Sequence, residues 1–134
     1  MLSRSTPIRL IPIRNMNRAL RFYTNTLGGR MRLRGRGEMR DAWAWVKIGK
    51  ADFWLIQPEK RERMDLAYNA FLVRDIRKTV AGLKRRGASF LPAESMGPGT
   101  KIDGPIATMP WGDKSAFFKD SEGNLLMLWE QAPG

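Results

Sequence analysis

The chain carries one pattern twice. Ile13-Arg14-Asn15-Met16 and Val73-Arg74-Asp75-Ile76 stand sixty residues apart. Each reads as the β-branched end of an extended run, a cation, a helix-capping side chain and an apolar first helical residue. Leu20 answers Val80, and Gly28 and Gly87 each end the helix that follows. A supersecondary unit used twice limits the fold more than any single segment does, because each copy must supply the same strand, helix and returning strands.

The segments between these anchors fit that demand. In the first copy, Pro7 to Arg14 reads as a strand. Met16, Ala19, Leu20, Tyr23 and Leu27 then recur at helical spacing. Arg30 to Arg34, Asp41 to Ile48 and Ala51 to Gln57 follow as three strands, with glycine-containing turns between them. In the second copy, Tyr68 to Val73 is a strand and Ile76, Val80 and Leu83 form the helical stripe. Lys84, Arg85 and Arg86 place cations in the last turn, where the helix dipole favours them. Ala88 to Leu91, Ser115 to Lys119 and Leu125 to Glu130 read as its strands, and Pro92 to Gly104 as a loop. The expected fold is α+β, two βαβββ modules with curved mixed sheets. Residues 1–58 form the first module, 59–66 a charged linker and 67–134 the second, within one compact domain.

Composition matters mostly through what is missing. The chain has no histidine and no cysteine. Zinc, nickel and iron sites nearly always use one or the other, so only hard-cation sites of carboxylate and carbonyl oxygen remain, and no metal and no cofactor are assigned. Imidazole and thiolate catalysis are excluded for the same reason. Without cysteine there are no disulfides. The charged start from Met1 to Arg9 lacks the apolar stretch of a signal peptide, and no apolar run is long enough for a membrane span, so the cytoplasm is the expected compartment. Net charge is +11, a field that draws anions.

Three stretches resemble the vicinal-oxygen-chelate superfamily, which holds glyoxalase I, fosfomycin and bleomycin resistance proteins and extradiol dioxygenases. The first is Ile13 to Tyr23 followed by Leu27-Gly28. The second is Val73-Arg74-Asp75-Ile76 with Gly87. The third runs from Pro110-Trp111-Gly112 to Phe117-Phe118-Lys119-Asp120-Ser121-Glu122-Gly123-Asn124-Leu125, with Ser121 where the family usually has proline. The resemblance implies that the paired modules enclose a cavity, often completed in a homodimer. It also implies metal-ligand positions on the first and last strand of each module. These fall on Ile8, on Tyr68, on Met127 and near Trp54 or Leu55. None suits the family's metals, so the chain is more similar to the metal-free branch typified by bleomycin-binding proteins. Those hold a cationic drug in an acidic dimer groove, whereas this chain is strongly basic.

Strand alternation then proposes cavity residues. If Ile8 faces the cavity, Leu10 and Pro12 do too. Tyr68 brings Ala70 and Leu72, and Met127 brings Leu125 and Trp129. Trp43, Trp45 and Lys47 share one face of their strand. Either they stack on a flat ligand or they plug a cavity or a dimer interface. Arg30, Arg32, Arg34 and Arg36 alternate, which puts four guanidinium groups on one strand face. That face is either an anion clamp or a solvated sheet edge. Trp111, in the loop before the penultimate strand, either closes over a ligand or anchors the loop. Asp120 to Asn124 reads as a hairpin turn.

Three functions compete. The first is a metal-independent binding protein for a small organic ligand, drug-like or metabolite-like and with anionic or aromatic character among its options, acting by sequestration or sensing. Its ligand-binding candidates are Trp43, Trp45, Lys47, Tyr68, Trp111, Met127, Trp129, Arg32 and Arg34, and no catalytic residue is assigned. The second is a metal-independent lyase or isomerase, which needs Asp41, Asp52 or Glu130 buried near Lys47 or Tyr68. The third, ranked last, is nucleic-acid binding through the basic surface, for which no recognised motif is present. No membrane partner is expected.

Overall fold

The computed structural model describes residues 8–57, 69–95 and 97–133. It divides into two compact units, Met1–Asp65 and Leu66–Gly134. The proposed linker and Tyr68 lie outside the described residues.

The first unit runs β1 (Ile8–Pro12), α1 (Met16–Arg21), β2 (Arg30–Arg34), β3 (Trp43–Ile48) and β4 (Ala51–Ile56). Its four-stranded sheet has the order β1-β4-β3-β2. β1 and β4 are parallel, and the other two pairings are antiparallel. The Asn15 side chain accepts the Arg18 N–H at 3.0 Å and so starts α1. The helix keeps α geometry only to Arg21 and then opens into a π turn over Phe22–Thr26. The Thr24 hydroxyl donates to the Leu20 carbonyl at 2.6 Å, competing with the regular helical bonds. The expected stripe survives this, since Met16, Ala19, Leu20 and Tyr23 are buried. They pack on Ile11, Ala44, Val46, Phe53 and Leu55 from alternate positions of β1, β3 and β4, all at 1% exposure or less. Each fully buried residue of that size contributes about 1.5–3 kcal/mol.

The second unit runs β5 (Asn69–Leu72), α2 (Ile76–Arg85), β6 (Lys101–Asp103), β7 (Ile106–Thr108), β8 (Lys114–Lys119) and β9 (Leu125–Glu130). Its five-stranded sheet has the order β5-β9-β8-β7-β6, with β5 and β9 parallel. Asp75 caps α2 through the Lys78 N–H at 3.1 Å, as Asn15 does for α1. Gly28 and Gly87, at φ +79° and +99°, supply the left-handed residue after each helical segment. Ile76 and Val80 pack over Ala116, Phe118, Leu126 and Leu128. Asp120 ties the β8–β9 turn by accepting the N–H groups of Glu122 and Asn124 at 2.8 and 2.7 Å.

Two backbone bonds set the repeat in register. Ile13 N–H donates to Ile56 O, and Val73 N–H donates to Trp129 O. Ile56 therefore corresponds to Trp129, Trp54 to Met127 and Asp52 to Leu125.

The second module departs from expectation in one place. Ala88 to Leu91 forms no strand. Only a single bridge, Phe90 to Phe118, stands there. The expected loop instead contains the hairpin β6–β7, turned at Gly104 with φ +60°. Strands of three residues hold too little alternation to stand out among Gly97, Pro98, Gly99, Gly104 and Pro105. β7 and the Phe90 bridge lie along one edge of β8, so that edge is covered in two pieces.

Candidate functional site

One face of each sheet is covered by its helix. The site candidates stand on the opposite face of the first sheet. Trp43, Trp45 and Lys47 of β3 point there, because Ala44 and Val46 fill the helix side. β4 adds Asp52, Trp54 and Ile56 to the same face, since Phe53 and Leu55 are core. The antiparallel register sets Trp45 directly opposite Trp54, and Lys47 opposite Asp52. The three indoles form a ladder. Trp54 stacks on Trp43 with centroids 5.3 Å apart and on Trp45 at 6.4 Å, both within about 21° of parallel.

Polar groups frame the ladder. Trp45 Nε1 donates to Asp52 at 3.0 Å, and Lys47 Nζ stands 3.8 Å from the same carboxylate oxygen. Asp52 is only 8% exposed. Trp54 Nε1 is buried and has no acceptor. Ile8, Leu10 and Leu33, on β1 and β2, leave about half of their surface open on this face.

The four alternating arginines do not share a face. The pairing of β2 with β3 shifts between Met31 and Leu33. Arg32 is the extra residue of a β-bulge, which re-aims the side chains after it. Arg30 stays opposite Lys47, and the Arg32 guanidinium lies 5.6 Å above the Trp45 ring. Leu33 now faces Trp45, and Arg34 swings to the helix side. There Arg34 donates to the Arg40 carbonyl at 2.7 Å, to Asn17 of α1 at 3.0 Å and to Asp41 at 2.8 Å. Arg34 is therefore a structural clamp and not a cavity residue. Arg36 lies beyond the strand, at the start of a short 3-10 turn. We expect Arg34→Ala to lower unfolding free energy by about 1–2 kcal/mol in chemical denaturation. Arg36→Ala should change it by less than about 0.5 kcal/mol.

The second sheet carries a comparable face. Ser115, Phe117 and Lys119 of β8 stand opposite Trp129, Met127 and Leu125 of β9. Met127 and Ser115 are 4% and 2% exposed, and Ser115 Oγ is buried with no partner. Ala70 and Leu72 are exposed on β5. Trp111 is 66% exposed on the turn between β7 and β8, which Met109 and Asp113 close. Of the three carboxylates weighed as bases, Asp41 is paired with Arg34 and Glu130 accepts the Ile76 N–H at 2.9 Å at the start of α2. Only Asp52 stands beside Lys47. The sequence reading missed Leu33, which only the bulge brings to this face. It also missed Trp54 as a partner of Trp43 and Trp45, although period two along Phe53 and Leu55 points to it.

The family model of the Glyoxalase/Bleomycin resistance protein/Dioxygenase superfamily matches residues 8–128, and the chain belongs to that superfamily. Among solved structures, it is similar to TnmS3, described as an antibiotic binding protein from Streptomyces sp. CB03234. The identity is 22% and the TM-score 0.72, over 98% of this chain and 99% of that one. A superfamily member from Sphaerobacter thermophilus DSM 20745 shares 25% identity at TM-score 0.71, over 98% of this chain and all of the other. TioX from Micromonospora sp. ML1 shares 17% at TM-score 0.66, over 97% and 98%. No curated protein matches the sequence.

The superfamily's metal positions can now be placed. The repeat register assigns the uncertain one to Trp54 and not Leu55. Ile8 is aliphatic, Trp54 offers only an N–H donor and Met127 a buried thioether, while Tyr68 lies outside the described residues. These donors do not fit the family's metals. No group of three acidic, histidine or cysteine side chains gathers among the described residues. No helix among them is long and apolar enough to cross a membrane.

Proposed function

We propose that this chain is a metal-independent small-molecule binding protein that acts by sequestration or sensing, with the tryptophan ladder as its recognition surface. The carrying observation is the Trp43–Trp54–Trp45 stack on the sheet face away from the helix, next to half-exposed Ile8, Leu10 and Leu33. Flat indole faces and unshielded aliphatic groups suit a planar organic ligand. The antibiotic-binding description of TnmS3 is in keeping with this reading. The reading includes a homodimer as the working form and the cytoplasm as its compartment.

The test is thermal shift and tryptophan fluorescence against planar aromatic drug-like and metabolite-like compounds, with divalent metals alongside. A ligand that binds the native state must raise its melting temperature. We expect stabilisation by at least one aromatic compound and a loss of about tenfold in its affinity in Trp43→Leu. Silence from every organic compound would sink the proposal, and stabilisation by a divalent cation would remove its metal-independent part.

One observation favours a second reading, a metal-independent lyase or isomerase. Asp52 is buried on the ladder face and held by Trp45 and Lys47, the arrangement an oriented general base needs. Turnover of activated carbonyl compounds that disappears in Asp52→Asn would establish it.

A further inference from the structure

We infer that the ligand is an aromatic anion, a flat ring system bearing a carboxylate, with Arg32 as its specificity-determining residue. The inference rests on the ladder being the binding surface.

The argument begins with the bulge. In a regular strand Arg32 and Arg34 would oppose Trp45 and Trp43, and Leu33 would face the helix. The extra residue removes Arg34 from this face and puts Leu33 against Trp45. Arg32 stays, its guanidinium over the Trp45 ring. The ladder thus gains an aliphatic wall and a single cationic cap at its Trp45 end.

The charges at that end do not balance. Arg30 sits directly opposite Lys47, and like charges in that position are unfavourable. Arg32 is the next cation along the strand. Asp52 is the one carboxylate on this face among the described strand residues. It already accepts from Trp45 and faces Lys47. Neither Arg30 nor Arg32 has an ion-pair partner among the described residues. Three cations around one engaged carboxylate leave a positive corner beside a stack of rings. The Trp54 N–H adds a buried donor without an acceptor. Three cations against one carboxylate select against a cationic ligand and in favour of an anion. A guanidinium recognises a carboxylate by a planar, two-bond fit.

The experiment is calorimetric titration of the full chain with 2-naphthoate, neutral 2-naphthamide and 2-naphthylmethylammonium. We expect naphthoate to bind about tenfold more tightly than the amide, the scale of one charge-assisted hydrogen bond, and the ammonium to bind most weakly. Arg32→Gln should erase the advantage of naphthoate over the amide, and Arg32→Lys should restore part of it. Equal binding of naphthoate and amide, or preference for the ammonium, overturns the anion inference but leaves the ladder as an aromatic site. If none of the three binds, the ladder reading falls and this inference with it.

Discussion

Phe53→Ala is expected to lower the free energy of unfolding by about 3–5 kcal/mol, while Leu10→Ala on the neighbouring strand should cost less than about 1 kcal/mol. Phe53 sits mid-strand in β4 and is fully buried. Its ring lies 6.4 Å from that of Tyr23, and the Arg9 guanidinium stands 5.7 Å from its centre. Truncation leaves a cavity under α1 that the surrounding Tyr23, Val46 and Leu55 cannot close without moving the sheet. Leu10 points to the opposite face and is half exposed, so its removal takes little from the interior. Urea denaturation of the two variants measures the contrast directly. If the two losses were similar, the assignment of faces in the first sheet would be wrong, and the ladder could not be where it is placed.

That assignment is also where the sequence was most readable. Ala44, Val46, Phe53 and Leu55 alternate with larger or polar neighbours, and period two separates the faces of β3 and β4 without help from tertiary structure. The paired caps Asn15 and Asp75 and the glycines after each helical segment mark the repeat, because capping and positive φ are local demands on local residues. The failures have a common cause. The bulge at Arg32 depends on how β2 meets β3, and a perfect alternation of arginine contains no sign of a register shift. The β6–β7 hairpin is made of three-residue strands stabilised by β8, a partner distant in the chain. Even the site's composition shows this division. Trp43 and Trp45 were visible as a same-face pair, whereas their union with Trp54 and Asp52 is a cross-strand fact that register alone decides.

Two tryptophan-to-phenylalanine changes should differ in their effect on stability, although the residues stand opposite one another. Trp45→Phe removes the N–H that Asp52 accepts at 3.0 Å. The carboxylate is then left buried with Lys47 at 3.8 Å as its remaining partner. Stranding a buried acceptor of this kind costs about 1–3 kcal/mol, beyond the area lost with the ring. Trp54→Phe removes an N–H that has no acceptor, so the penalty for burying that donor disappears with it. The smaller ring gives up some stacking with Trp43 and Trp45. The two terms oppose each other, and the net change should stay within about 1 kcal/mol of zero. Ligand affinity should not follow stability. If the unpaired Trp54 N–H is held for an incoming acceptor, Trp54→Phe weakens binding of an aromatic carboxylate while the protein remains as stable as before. Parallel urea melts and naphthoate titrations of both variants separate the cases. A destabilised Trp54→Phe with intact binding would make that indole a packing residue. A stable Trp54→Phe with impaired binding would make it part of the recognition surface, because native contacts alone give no reason to bury a donor and leave it unmatched.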